Sequence, residues 1–152
     1  MMKLTQLGVA LGVLGFMLAL MGLFPGVMGV NPTPGVGAIQ FLIILVGFFL
    51  LIIGAIIYVK DAFYDQQPSN LVQQVGVRMA WTGLIFCAMS GLADFLGFGS
   101  HTPTPTSDVV LGELQLIGVI GGFLLSSIGV IIFAAGGIPA RDSRDTEKTA
   151  KI

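Results

Sequence analysis

Charge is what this chain has least of. Asp, Glu, Lys and Arg together make up 10% of its 152 residues, where an average soluble domain carries about 25%. With so few charges, a soluble fold of this size could not cover its surface with polar side chains. The formal net charge of −1 also excludes a nucleic-acid binder, which needs a basic footprint for phosphates. A single cysteine rules out a disulfide framework and a Cys-rich metal site. The only histidine, His101, lies in a Pro/Thr-rich stretch, a setting that suits a solvated loop side chain better than a haem or metal ligand. No nucleophile–base pair, phosphate-cradling loop or pair of catalytic carboxylates is present. The expectation is therefore a non-enzyme with neither cofactor nor metal.

What is abundant is apolar sequence, 55% of the residues, together with 22 glycines. A membrane-spanning helix needs about 20 predominantly apolar residues. Four stretches qualify: Leu4 to Phe24, Ala38 to Val59, Val75 to Phe98 and Val109 to Ala135. They are separated by Pro25-Gly26, by Asn31-Pro32-Thr33-Pro34-Gly35, by Gln66 to Asn70 and by Gly99 to Pro105. Proline lacks an N–H and disfavours helix at the residue before it, so these stretches read as loops. Ser69 or Asn70 suits the cap of the third helix, and Ser107 or Asp108 that of the fourth. The first apolar run is long for a signal peptide and lacks a convincing small-x-small cleavage site, so it reads as a true span.

Orientation follows from the basic residues. Lys3, Lys60, Arg78, Arg141, Arg144, Lys148 and Lys151 all fall on one side of a four-span chain. Asp94, Asp108 and Glu113 fall on the other. Basic residues stay cytoplasmic, so both termini are expected inside and the Pro-rich loops outside. The expected organisation is a four-span domain over residues 1–138 and a polar cytoplasmic tail over 139–152.

The chain also reads as a duplication. Gln40, Gly47, Phe48, Gly54 and Tyr58 recur 75 positions later as Gln115, Gly122, Phe123, Gly129 and Phe133. Gly8, Gly15 and Met21 recur 68 positions later as Gly76, Gly83 and Met89. Each unit crosses twice, so the repeats, about 4–60 and 71–138, would be parallel and related by an axis along the membrane normal. The expected fold class is thus an all-α integral membrane four-helix bundle built from two tandem transmembrane hairpins.

Glycines recur at steps of seven: Gly8, Gly15 and Gly22; Gly47 and Gly54; Gly76 and Gly83; Gly122 and Gly129. Two helical turns separate neighbours, so each set forms one stripe along its helix. Lipid supplies no hydrophobic gain for helix association, so close backbone approach must supply the attraction. These glycines are the expected helix-packing residues, with crossings near +20°. The remaining faces, rich in Leu, Ile, Phe and Met, would meet lipid or larger subunits.

Ionisable residues within spans are functional candidates by default. Arg78 reads as an interfacial anchor that snorkels. Trp81, Tyr58 and Tyr64 read as an inner aromatic belt. Gln40, Asp94, Glu113 and Gln115 form a candidate polar cluster near the outer surface, where Gln40 and Gln115 could meet. Ser126 and Ser127 are expected to bond carbonyls one turn back. No acid lies at the midplane, so no ion path is expected. The reading is an accessory subunit of a larger membrane complex, such as one of respiratory or photosynthetic electron transfer, in a bacterial cytoplasmic membrane. Its expected partners are membrane lipids and the larger subunits, with no nucleic acid. The alternative is a self-associating small channel or small-solute transporter.

Overall fold

The computed structural model describes residues 4–29, 38–64, 68–93 and 112–137. Those residues are helical apart from short connections. Four helices run in order: α1 (Leu4–Leu23), α2 (Ala38–Tyr64), α3 (Leu71–Gly91) and α4 (Glu113–Ala135). All four are long and apolar enough to cross a membrane, since about 1.5 Å of rise per residue makes 20 residues span about 30 Å.

The ends of the helices have local causes. After α1 the chain tightens into a 3-10 turn, Pro25–Met28. It ends at Gly29, whose φ of 74° is a left-handed conformation that costs glycine no Cβ clash. At the other end of α1, the Thr5 amide donates to the Asp61 carboxylate of α2 at 2.6 Å, and the Thr5 hydroxyl donates to the same oxygen. An acid from the neighbouring helix thus satisfies an orphan N–H at the positive end of the α1 dipole. Helix α2 therefore continues past Val59, through Lys60 and Asp61, to Tyr64.

Helix α3 opens with a reciprocal capping box. The Gln73 amide donates to Asn70 Oδ1 at 2.9 Å, and the Asn70 amide donates to Gln73 Oε1 at 3.2 Å. This leaves two orphan donors satisfied. The helix starts four residues before Val75 and ends at Gly91, so Asp94 lies beyond its end and outside the described residues. Helix α4 starts at Glu113 rather than Val109, with Gly112 as its N-cap. Ser107, Asp108, His101 and the tail 139–152 are also outside the described residues.

The helices associate in two antiparallel pairs, α1 with α2 and α3 with α4, and α2 joins the pairs by lying against α3 and α4. Phe48 of α2 stacks on Phe123 of α4, with ring centroids 4.0 Å apart and planes at 24°. On one side of this stack Phe41, Cys87 and Val119 form a buried cluster. On the other, Ile52 packs on Ala80 and Leu84. Gly91 lies directly under the Phe41 ring, where a Cβ would collide with it.

Candidate functional site: the glycine seams and the groove between pairs

Each helix pair is held along one seam. In α3 the buried face is Gln73, Gly76, Ala80, Gly83, Cys87 and Gly91, joined by Leu84. In α4 it is Gln115, Val119, Gly122, Ser126, Gly129 and Phe133. Alternating steps of three and four place such residues on one seam, as in a coiled coil. Here the seam is made of small residues, so backbone meets backbone.

The geometry at the glycines is reciprocal. A Cβ at Gly15 would lie 2.6 Å from the Gly47 carbonyl oxygen, and one at Gly47 would lie 2.8 Å from that of Gly15. Gly8 and Gly54 face each other likewise, at 3.0 and 2.7 Å. In the second pair, a Cβ at Gly83 would lie 2.5 Å from the Gly122 oxygen, and one at Gly122 2.7 Å from the Gly83 oxygen. Gly76 would meet the Gly129 oxygen at 2.7 Å, and Gly129 that of Gly76 at 2.6 Å. Gly22 faces the Ile44 side chain and, at 3.2 Å, the Gln40 oxygen. Real Cβ atoms do not sit so close to backbone, so only glycine fits at the four reciprocal pairs, while at Gly22 the Ile44 side chain would have to give way. Backbones this close are within reach of weak Cα–H···O contacts across the seam. These glycines therefore lie in closed helix contacts rather than on a lumen.

Two polar side chains in the spans, Ser126 and Gln40, bond across the same seams. The Ser126 hydroxyl donates across the pair to the Ala80 carbonyl at 2.6 Å. This corrects the expectation of a bond one turn back, which Ser127 does make, to Phe123 O at 2.9 Å. The difference is in facing: Ser126 is buried on the seam against α3, while Ser127 is turned off it.

The glutamines do not meet. Gln40 Nε2 donates to the Gly22 carbonyl at 2.6 Å, across the first pair. Gln115 Oε1 accepts from the Gly112 amide at 2.7 Å, within its own helix start, and its Nε2 is buried without a partner. Each amide points into its own pair rather than toward the other. Glu113 is exposed at the first turn of α4. No hydrogen bond joins Gln40, Glu113 and Gln115 among the described residues, and Asp94, the fourth member of the expected cluster, lies outside them.

Polar contacts concentrate instead at the opposite end. The Tyr64 hydroxyl donates to the Ala134 carbonyl, and the Asn70 side-chain amide donates to the Gly136 carbonyl. Both satisfy carbonyls at the C-terminus of α4 that have no partner within the helix. Together they latch the end of α2 and the start of α3 onto the end of α4. The sequence carried a signal for Asn70 as a cap, but none for its second role.

Between the pairs, α2 and α3 enclose an apolar groove of about 290 Å³. It is lined by Leu45, Val46 and Phe49 on one wall and Trp81, Leu84, Ile85 and Ala88 on the other. Trp81 meets Phe49 edge to face, 5.7 Å between centroids. Its ring is part of the groove wall.

These features define an all-helical protein of the multi-pass membrane class, with four helices able to span the bilayer. No protein-family model, curated protein or solved structure matches the chain.

Proposed function

We propose that this chain is a non-catalytic accessory subunit of a larger membrane assembly, such as a respiratory or photosynthetic electron-transfer complex. It would lie in a bacterial cytoplasmic membrane with both termini cytoplasmic, packed against larger subunits and lipid. The supporting observation is the closed state of the two seams. Glycine backbones fill them, and Ser126 and Gln40 spend their hydrogen bonds across them. The remaining faces present large apolar side chains, among them Phe16, Met17, Ile39, Ile85, Ile117 and Ile131. A surface of that kind suits lipid and neighbouring spans.

We also read the two helix pairs as tandem copies of one hairpin. The matched contacts support this. Gly8–Gly54 and Gly15–Gly47 recur as Gly76–Gly129 and Gly83–Gly122, at the sequence offsets of 68 and 75. Phe48 stacks on Phe123, its own counterpart 75 positions on, as residues near a two-fold axis do.

Purification from native membranes in mild detergent tests the role. Co-migration with redox subunits is the expected result. A homogeneous homo-oligomer that conducts ions in a planar bilayer would replace the proposal with the channel alternative.

A further inference from the structure

We infer that the α2–α3 groove is the seat of one anionic phospholipid, with its phosphate on Arg78 and an acyl chain along Trp81, Ile85 and Ala88. Trp81 and Ile85 follow Arg78 by three and seven residues, so all three share one face of α3. Arg78 is exposed, and the two acids among the described residues are both elsewhere. Asp61 is engaged by Thr5 at the start of α1, and Glu113 lies at the start of α4, at the other end of the bundle. A guanidinium within a spanning helix, with no acid partner among the described residues, favours a phosphate, whose oxygens accept its planar fork of donors.

The dimensions agree. From Arg78 to Ala88 is ten residues, about 15 Å along the helix, and half of a hydrocarbon core of about 30 Å is the depth of one leaflet. The polar residues Asn70, Gln73 and Gln74 precede Arg78 on α3, which places that end of the helix toward the headgroups. The groove lining is apolar throughout, as an acyl chain requires. A zwitterionic lipid fits the groove equally well. It lacks the net negative charge that Arg78 selects.

This inference rests on the membrane-spanning reading but not on a role in a complex, so the test uses the full chain alone in vesicles. Trp81 is the only tryptophan and lines the groove, so its fluorescence reports the occupant. The chain is reconstituted in mixtures of phosphatidylglycerol and phosphatidylcholine with identical chains, brominating one lipid at a time. Brominated phosphatidylglycerol should quench Trp81 with a relative association constant about fivefold higher, the worth of roughly one basic residue at an anionic interface. Arg78→Gln should abolish the preference, Arg78→Lys should keep part of it, and Lys60→Gln should leave most of it. In the unaltered chain, raising the ionic strength should reduce the preference, because salt screens interfacial charge. Equal quenching by the two lipids in the unaltered chain, or a preference that survives in folded Arg78→Gln protein, would overturn the inference.

Discussion

A glycine in a membrane helix is either a contact or a gap, and this chain holds both kinds. At Gly47 and Gly122 an added Cβ would meet backbone nitrogen at 2.5 and 2.6 Å. The helices would have to part, and overpacking of this kind costs about 1–3 kcal/mol. At Gly12 and Gly121 a Cβ would meet nothing within 4 Å. Gly47→Ala and Gly122→Ala should therefore lower the unfolding midpoint in detergent. Gly12→Ala and Gly121→Ala should leave it unchanged or raise it, since alanine favours helix by about 0.5–1 kcal/mol over glycine. The experiment is a thermal or SDS titration followed by helical content. Equal effects from the two sets would show that the seams are not where the energy lies. Larger changes, Gly54→Leu and Gly129→Leu, should break the pairs outright. Ser126→Ala removes one cross-seam bond and should cost about 0.6 kcal/mol, a typical value for such bonds in membranes.

The unit of this fold at the scale of elements is the helix pair. Each pair is zipped by its own seam, and the two meet through Phe48, Phe123, Phe41 and Ile52, with Gly91 under the Phe41 ring, rather than along a second glycine seam. The end of α2 and the start of α3 are the exception, because Tyr64 and Asn70 tie them to the end of α4. Asn70 serves both as cap of α3 and as donor to Gly136. Asn70→Ala should therefore cost more than the roughly 1 kcal/mol of an N-cap alone, and Tyr64→Phe should cost less than Asn70→Ala. Unfolding in detergent measures both. If Asn70→Ala proved no worse than an ordinary cap loss, the bond to Gly136 would contribute nothing. Asn70 was readable as a cap because its spacing to Gln73 is local. The Asp61–Thr5 bond was not, because it joins residues 56 positions apart.

For the whole molecule, four helices in two antiparallel pairs put the end of α2 and the start of α3 on one side and the ends of α1 and α3 on the other. With basic residues cytoplasmic, single cysteines in a Cys87→Ala background give a direct test. Positions 33 and 104 should label from outside intact cells, and position 66 only after permeabilisation. Outside labelling at 66 would invert the proposed topology. Cys87 itself is buried on the α3 seam, so alanine there should remove background labelling with little disturbance.

Span number, helix class and the glycine stripes were legible in the residues alone. Each depends on composition or on the helical period, and both are local properties of a chain. The direction in which a polar side chain spends its bond was not legible. Ser126 and Ser127 are chemically alike and adjacent, yet one crosses to α3 and the other turns back, because a shift of one residue turns a side chain about 100° around its helix. The same holds for Gln40 and Gln115, and for the part Trp81 takes in a groove that exists only where α2 lies against α3. Which side chains share that space is decided by the packing of helices distant in sequence, and no local pattern carries it.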